Sequence, residues 1–343
     1  MKLTIKEVAQ QAGVSIATVS RVLNNKDRVK SSTRQKVKEM IHKLNFQPDL
    51  NARNMIKKES KTIGMVIPEL SNEYWSHLVD VLQENFWDNG YMLIVGSTDR
   101  NLDKEQAFIK SFIERRVDGI IFGSSLTPRA DTDNETFKLI KQYGIPIVSL
   151  DPKNREMSCV LGDHLQGATD GVEHLIRLGH RSIAFIGGPT APDSRELGFR
   201  NAFMLNNLIV DESLIRRSDS SSTFQFGYQT TIQLINDGAE FTSIFCYNDA
   251  TAFGVFKALE EKGMRVPEDV AIVGYDDVQM AGLFKPALTT VRQPIIEVGQ
   301  ALAKLLIDTI EMGSTSIQKV PPKSISFKMQ LIVRDSCGSQ LKS

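Results

Sequence analysis

The sequence predicts a small all-α unit at the amino terminus, followed by an α/β body built from two doubly wound parallel sheets. Residues 1–60 contain closely spaced helix signals and no strand-like runs. From Lys61 onward, short apolar runs alternate with stretches of helical periodicity. A chain of 343 residues, 41% of them hydrophobic, is long enough for two or three domains.

Helix-capping residues precede the first three of four helices predicted in residues 1–60. Thr4 and Glu7 form a capping box, in which each side chain bonds the backbone N–H of the other residue. Ser15 caps the second helix, and Ser32 with Gln35 forms a further box. The predicted helices cover 5–11, 16–24, 33–45 and 50–58.

The predicted strands of the body are continuous runs rich in β-branched residues, without the alternation of half-exposed strands. This pattern is typical of parallel sheets that are covered on both faces. Their number predicts two subdomains, and the cleft between two such sheets is a common ligand site. The predicted strands cover 62–67, 91–95, 119–122, 145–150, 182–186, 243–247 and 270–275. The predicted helices lie near 74–88, 103–115, 134–142, 165–178, 195–206, 225–237, 249–262 and 295–311.

The apolar spacing of 8–24 predicts a helix-turn-helix, because two helices that cross through a glycine turn need small apolar side chains at the crossing. The opposite face of the second helix then stays exposed. Arg21 can bond O6 and N7 of a guanine, and Ile16 and Ala17 can contact a thymine methyl. The hydroxyl and amide side chains nearby suit phosphate oxygens. The candidates for DNA binding are Thr4, Ser15, Ile16, Ala17, Thr18, Ser20, Arg21 and Asn24. The alternative is a helix-turn-helix that serves only packing, with Arg21 in a surface salt bridge.

Charge is unevenly distributed along a chain whose net charge is zero. Residues 1–60 contain 13 Lys or Arg and 5 Asp or Glu, so the remainder of the chain is acidic. A basic unit attached to an acidic body fits a protein in which one small module binds a polyanion. A solvated basic helix face without a partner is the alternative.

Several function classes lack their sequence signals. No P-loop, GxGxxG after the first strand, GxSxG or HExxH motif occurs, so we expect neither an enzyme nor a cofactor. The three cysteines are far apart and indicate no disulfide framework or metal site. Without an apolar signal-peptide core or a membrane-length apolar run, we expect a cytoplasmic protein that does not bind membranes.

The motifs of the chain resemble those of the LacI/GalR family of bacterial repressors from end to end. In the amino-terminal unit they are Thr-Ile-Lys-Glu-Val-Ala at 4–9, Ala-Gly-Val-Ser at 12–15, Ala-Thr-Val-Ser-Arg-Val-Leu-Asn at 17–24 and Asn-Phe-Gln-Pro at 45–48. In the body they are Gly-Gly-Pro at 187–189, Arg-x-x-Gly-Phe at 195–199, Asn-Asp at 248–249, Val-Gly-Tyr-Asp-Asp at 273–277 and Leu-Thr-Thr-Val at 288–291.

The resemblance implies a homodimer that binds a pseudo-palindromic operator in double-stranded DNA. It also implies that 50–58 fold into a hinge helix in the minor groove, where Ala52 and Met55 stand in the family's Ala-Arg-x-Leu pattern. Met55 is either the wedge between base pairs or a buried interface residue.

The resemblance further implies a periplasmic-binding-protein-like body after a headpiece that covers 1–60. The first subdomain is expected to contain 61–161 with 290–322. The second is expected to contain 162–289 with 323–337.

Family members bind a small effector between the two subdomains, and the matching positions here follow predicted strands or begin helices. The candidates are Trp75, Asp151, Arg195, Asn248, Asp249 and Asp276. Taken singly, each acid or amide could instead cap a helix or solvate a strand end, and Trp75 could be a core aromatic. Arg195 is suited to a hydroxyl, carboxylate or phosphate group.

Departures from the family pattern bear on the ligand. Glu73 replaces a Pro, and His164 replaces a common Asn, where it either contacts an acidic ligand or caps a helix. Ser222 stands where purine-binding members carry a second aromatic, so a sugar, sugar phosphate or sugar acid is the expected effector. The alternatives are a regulator controlled by a partner phosphoprotein and a cytoplasmic small-molecule-binding protein.

Overall fold

The computed structural model describes residues 3–23, 29–46, 59–123, 135–150, 157–189, 193–218, 223–313 and 321–342. The chain divides into two compact units, Met1–Ser60 and Lys61–Ser343, which we call the headpiece and the body. No helix in the described ranges is long and apolar enough to cross a lipid bilayer.

Helices form the secondary structure of the described headpiece: α1 (Ile5–Ala12), α2 (Ile16–Leu23) and α3 (Ser31–Lys43). Gly13 ends α1 with a φ of 62°, a left-handed conformation that glycine adopts without steric cost. Small apolar side chains from the three helices share one core, as the helix-turn-helix spacing predicts. Its fully or nearly buried members are Val8, Ala9, Ala12, Val19, Val22, Val37 and Phe46.

Two of the predicted capping arrangements are confirmed. The hydroxyl of Thr4 accepts from the N–H of Glu7, while the N–H of Thr4 donates to the Glu7 carboxylate at 2.7 Å. The Ser15 hydroxyl accepts from the N–H of Thr18 at 3.1 Å. These bonds satisfy amides at the starts of α1 and α2 that have no partner within the helix.

The capping box predicted at Ser32 and Gln35 is wrong. The third helix begins at Ser31, and Lys30 occupies its N-cap without a side-chain bond. Ser32 therefore lies inside the first turn, where its helical backbone does not have the extended conformation of a capping residue.

The body alternates strands and helices. In chain order its strands are β1 (Thr62–Ile67), β2 (Met92–Ser97), β3 (Gly119–Phe122), β4 (Ile147–Ser149), β5 (Ser158–Gly162), β6 (Ile183–Ile186), β7 (Ile215–Arg216), β8 (Ser243–Cys246), β9 (Ala271–Asp276), β10 (Thr289–Arg292), β11 (Ser324–Phe327) and β12 (Gln330–Ile332). Its helices are α4 (Glu73–Asp88), α5 (Leu102–Glu114), α6 (Glu135–Tyr143), α7 (His164–Arg177), α8 (Ser194–Leu205), α9 (Phe224–Asn236), α10 (Asp249–Glu261), α11 (Gln279–Leu283) and α12 (Ile295–Gly313).

These strands form two six-stranded sheets, each the centre of one lobe. The first sheet has the order β11-β5-β4-β3-β1-β2, and the second has the order β12-β10-β9-β8-β6-β7. All pairs in the first sheet are parallel. In the second sheet only the pair of β10 with β12 is antiparallel. The predicted architecture of two doubly wound, predominantly parallel sheets is confirmed.

Helices cover both faces of each sheet, which is why the central strands such as β1, β3 and β9 are predominantly apolar. In β1, Ile63 and Met65 pack with helices α4 and α12, whereas Val66 packs with α5 on the other face. In β9, Val273 and Ile272 likewise belong to opposite cores of the second lobe. Alternate side chains of one strand point to opposite faces, so a doubly covered strand needs apolar residues at every position.

The chain passes between the lobes three times, after β5, β10 and β11. The subdomain boundaries expected at residues 290 and 322 do not match the pairing of the strands. Strand β10 belongs to the second sheet, so the chain returns to the first lobe only after Arg292. Strand β11 pairs with β5 in the first sheet, so the last crossing follows Phe327.

Seven of the twelve strands in the described part of the chain were predicted from the sequence. The other five were not predicted: β5, β7, β10, β11 and β12. The missed strands contain two to five residues, and several carry polar residues at half of their positions. Such segments have too few apolar positions for a periodicity to be recognised.

Glycines let α9 and α10 approach closely. A Cβ on Gly254 would overlap the carbonyl oxygen of Phe224, and one on Gly227 would overlap the carbonyl oxygen of Thr251. The backbones of the two helices therefore touch at positions where no larger residue fits.

We expect Gly254→Ala to lower the free energy of unfolding by about 3 kcal/mol, because the added methyl group separates the two helices. Gly282→Ala in α11 is the matched control, since its Cβ would lie 3.9 Å from the nearest atom. That control should stay within about 1 kcal/mol of the wild type. Urea denaturation measures both, and equal effects would contradict the close packing.

Candidate functional site

The outer face of α2 displays the side chains that were predicted to face DNA. Ile16, Ala17 and Arg21 are exposed, with Ile16 47% accessible, whereas Val19 and Val22 are buried in the headpiece core. One face of the helix is therefore used for packing, and the other presents an arginine beside two apolar side chains.

Polar side chains lie at the start of the same helix. Ser15 is exposed, and its hydroxyl lies 2.9 Å from that of Thr18. Thr4 is exposed at the start of α1, and Ser20 is half-buried. The remaining DNA-binding candidates, Asn24, Ala52 and Met55, lie outside the described residues.

In the body, a buried ion pair joins two of the predicted effector residues. Nη2 of Arg195 lies 3.4 Å from Oδ1 of Asp276, and the two side chains are 12% and 4% exposed. Arg195 stands in the first turn of α8, and Asp276 is the last residue of β9. Both therefore follow the carboxyl ends of parallel strands in the second lobe, where ligands of such folds bind.

Two tyrosines enclose the guanidinium of Arg195. Its Cζ lies 4.5 Å from the ring centroid of Tyr247 and 4.1 Å from that of Tyr275. Nη1 also donates to the carbonyl oxygen of Tyr247 at 2.6 Å. Aromatic faces attract a cation, and this attraction is stronger where water is excluded. The guanidinium of Arg195 thus contacts two aromatic rings and one carbonyl oxygen.

Asp193 positions the start of α8. Its Oδ1 accepts from the N–H groups of Arg195 and Glu196 at 3.0 and 3.3 Å, and its Oδ2 accepts from the Tyr247 hydroxyl at 2.7 Å. One carboxylate therefore fixes both the backbone of Arg195 and a tyrosine that encloses its side chain.

The backbone at the end of β9 is strained. Asp276 and Asp277 have φ values of 115° and 58°, which L-residues rarely adopt. Side-chain bonds hold this conformation: Gln293 donates to Asp276 at 2.6 Å, and Arg292 and Arg334 each donate to Asp277 at 2.6 Å. Strained backbone is concentrated at functional sites in proteins, and here two consecutive strained residues lie at the carboxyl end of β9.

Burial controls the charge state of these groups. It raises the pKa of Asp276 to about 6, although Arg195 and Gln293 act in the opposite direction. Burial disfavours the charged form of Arg195, but Asp276 and the tyrosines raise the pKa of that guanidinium above its usual value. At neutral pH the Arg195–Asp276 pair therefore carries one positive and one negative charge.

The two neighbouring candidates Asn248 and Asp249 are bonded within their own lobe. Asn248 caps α10 by accepting from the N–H of Thr251 at 2.9 Å. Asp249 is fully buried, and its oxygens accept from Thr290 at 2.6 Å and from the N–H of Val278 at 3.0 Å. Burial and the charge of Asp276 raise the pKa of Asp249 well above its usual range.

The first lobe contributes aromatic residues from α4. Trp75 is half-buried, packs against Gly123 at the end of β3 and makes an edge contact with Tyr74 at 5.0 Å between ring centroids. Burial raises the pKa of Tyr74, with a further contribution from the charge of Asp276 in the second lobe. The start of α4 therefore lies close to the ion pair.

Arg100 brings a second positive charge towards the site from the first lobe. Burial raises the pKa of Tyr247, and the charges of Arg195 and Arg100 oppose this rise. Nε of Arg100 is buried and donates to no acceptor among the described residues. Asp99 and Arg100 have φ values of 50° and 55°, in the left-handed region, so the turn after β2 is strained.

His164 begins α7 and does not cap it, because Asp163 accepts the capping bond from Gln166. Nδ1 of His164 lies 3.0 Å from the Tyr275 hydroxyl. Burial and the charge of Arg195 lower the pKa of His164 to about 3, so the imidazole is neutral at neutral pH. Asp151 and Ser222 lie outside the described residues.

Four residues at the site were not among those predicted from the sequence: Tyr247, Tyr275, Asp193 and Arg100. The two tyrosines end apolar strands and resemble core residues in a sequence. Asp193 had a usable signal, because an acid directly before Ser194 and a helical stretch is a capping pattern.

Comparison with known proteins relates the chain to one family in both units. Residues 4–49 match the model of bacterial regulatory proteins of the lacI family, and residues 172–337 match the periplasmic binding protein-like domain. The catabolite control protein A of Priestia megaterium is 33% identical over 96% of this chain and 99% of its own length.

Solved structures agree with this relation. The Lac repressor dimer bound to operator and the anti-inducer ONPF superposes with a TM-score of 0.84 at 26% identity, over 98% of this chain and 99% of the repressor chain. A LacI family regulator from Enterococcus faecium with bound ribose has a TM-score of 0.69 at 30% identity, over 80% of this chain and 98% of the other.

We expect Asp276→Asn to change how stability depends on pH. The carboxyl titrates near 3.8 when unperturbed and near 6 in the native protein, so ionisation between these values destabilises the folded state. From about pH 4 to about pH 7, the wild type should lose roughly 2–3 kcal/mol relative to Asp276→Asn. Urea unfolding across this range measures the difference. A difference that is independent of pH would contradict the raised pKa.

Proposed function

The chain belongs to the LacI family of bacterial regulatory proteins, and we propose that it is a transcription repressor whose affinity for a pseudo-palindromic operator is set by a carbohydrate effector. The observation that carries the proposal is the division of α2 into a packed face and an exposed face containing Ile16, Ala17 and Arg21. A helix with this division can enter the major groove without disturbing its own core.

We assign the base contacts to these three exposed residues. Arg21 bonds O6 and N7 of a guanine, which discriminates against other bases by about 1–3 kcal/mol. Ile16 and Ala17 make apolar contacts with the groove, and a thymine methyl suits them best. The surrounding side chains contact the phosphate backbone: Thr4, Ser15, Thr18, Ser20 and Asn24.

The operator is proposed to be a pseudo-palindrome because two headpieces of a homodimer read its halves. The similarity to a Lac repressor dimer bound to operator supports this assignment. The excess of basic residues in 1–60 supplies the attraction for phosphate. Between the half-sites, Ala52 and Met55 are assigned to the minor groove, where an apolar side chain can separate a base step.

The effector is proposed to bind at the Arg195–Asp276 pair. An arginine and a carboxylate side by side can respectively donate to and accept from the hydroxyl groups of a sugar. Trp75 offers a flat apolar surface for the sugar ring. A relative with bound ribose supports a carbohydrate. We also assign Asp151, Asn248 and Asp249 to this site, the last two as residues that shape it.

Arg100 favours an acidic carbohydrate within this class. Its charge acts on Tyr247 together with that of Arg195, and its buried Nε has no acceptor among the described residues. A phosphate or carboxylate group on the ligand could accept charge-assisted hydrogen bonds from these guanidinium groups. We therefore place sugar phosphates and sugar acids ahead of neutral sugars.

Effector control is proposed to operate through the relative orientation of the two lobes. The similarity over nearly the whole chain to a repressor bound to operator supports the present lobe arrangement as the one that binds DNA. An effector that binds another arrangement more tightly would lower operator affinity by that difference.

Arg21→Ala should remove the preference for one base pair in each half-site, about a tenfold to hundredfold loss of discrimination. Lys38→Ala is the matched control, because it removes an exposed positive charge of the headpiece from α3 instead. The control should weaken binding to all sequences alike and reduce the salt dependence. Fluorescence anisotropy on a selected operator and its single-base variants measures both. A uniform loss in Arg21→Ala would contradict base reading.

A thermal-shift series with D-ribose, D-gluconate and D-glucose 6-phosphate tests the effector site. Arg195→Ala should abolish stabilisation by every compound that stabilises the wild type. Arg100→Ala should reduce affinity about tenfold for the acidic compounds alone, because one charge-assisted contact is lost. Arg177→Ala, an exposed position on α7, should respond like the wild type. A wild type that none of the compounds stabilises would contradict the proposed ligand class.

A further inference from the structure

A hydrogen bond joins the two lobes through residues that are not part of the chain crossings themselves. The backbone N–H of Gln279, at the start of α11 in the second lobe, donates to Oε1 of Glu73 in the first lobe at 2.7 Å. The two residues are 206 positions apart in the sequence. The bond is exposed to solvent, and its acceptor is a carboxylate, which binds an N–H more strongly than a neutral acceptor does.

On the second lobe, this bond lies directly after the strained turn that contains Asp276. Asp277 is bonded to two arginines, and the N–H of Val278 donates to Asp249 at 3.0 Å. Each residue of 276–278 is therefore held by at least one side chain of its own lobe, and Asp276 also accepts from Gln293, which directly follows the crossing after β10. Gln279, the next residue, is bonded to the other lobe.

On the first lobe, Glu73 begins the helix that carries Tyr74 and Trp75. Asn72 caps this helix by accepting from the N–H of Tyr74 at 3.0 Å. Glu73 stands between the cap and the aromatic residues, so its position and theirs cannot change independently. The same helix packs against α12 through buried residues of the first lobe.

We propose that Glu73 is a positioning residue that fixes the turn 276–279 of the second lobe against the first lobe and thereby stabilises the lobe arrangement that binds the operator. The assignment rests on the proposed function. Two effector contacts, Asp276 and Trp75, lie within three residues of the two ends of this bond. A ligand that moves either contact therefore acts on the Glu73–Gln279 bond.

The acceptor of this bond is a residue at which the sequence departs from the family pattern. Glu73 replaces a Pro of the family pattern, and a proline side chain has no acceptor. Glu73 also has a matched control in Glu297, an exposed acid in the first turn of α12 in the same lobe.

Amide hydrogen exchange in the full-length protein without DNA tests the bond directly. Glu73→Ala should accelerate exchange at Gln279 about tenfold, since the amide loses its charged acceptor. Glu73→Gln keeps a carbonyl oxygen and should accelerate exchange less. Glu297→Gln should leave the exchange unchanged. Equal exchange at Gln279 in Glu73→Ala and the wild type would overturn the proposal.

Operator affinity tests the consequence. On a duplex selected by the wild type from a random library, Glu73→Ala should bind about three- to tenfold more weakly, and Glu73→Gln should lie between it and the wild type. Accelerated exchange at Gln279 with unchanged operator affinity would overturn the positioning role. A wild type that selects no duplex would instead contradict the proposed function, which the exchange experiment does not use.

Discussion

The buried ion pair between Arg195 and Asp276 is the interaction around which the candidate site of the body is arranged. Removing a guanidinium and a carboxylate from water costs several kcal/mol, and an ion pair repays this only with further bonds. Here two tyrosine rings, the carbonyl of Tyr247 and the amide of Gln293 offset part of this cost, and the raised pKa of Asp276 reflects the part that remains. These contacts hold Arg195 and Asp276 in fixed orientations, as the proposed effector site requires.

The position of this pair follows from the topology. Parallel strands bring their carboxyl ends to one edge of a sheet, so residues after β6, β8 and β9 converge although they are far apart in the sequence. In the first lobe, α4 follows the carboxyl end of β1, and its first residue, Glu73, is bonded to the turn after β9. The turn 276–279 joins several of these contacts, because Asp276 is bonded to Arg195 and to Gln293 beside a chain crossing, and the N–H of Gln279 donates to Glu73 of the first lobe. A ligand at the proposed effector site and a change in the orientation of the lobes would therefore both act on this turn.

Sequence reasoning succeeded where a function depends on local spacing. The two faces of α2 follow from helical periodicity, whereas the family resemblance indicated Arg195 and Asp276, which the structure brings together. It failed where a role depends on contacts between distant segments. Neither the enclosure of Arg195 by tyrosines nor the Glu73–Gln279 bond leaves a local signal, because an aromatic strand end and an exposed acid have many ordinary explanations. The short strands β10 and β11 were not predicted for a related reason. Their pairing with neighbouring strands defines them as strands, and their composition does not.

Thermodynamic linkage tests the central claim, that carbohydrate and operator act on one equilibrium between lobe arrangements. Calorimetric titration of a stabilising sugar into the wild type, alone and saturated with operator duplex, gives two dissociation constants. Linkage predicts that their ratio is at least about fivefold and equals the ratio by which the saturating sugar changes operator affinity. The same sugar affinity in the presence and absence of operator would contradict the account.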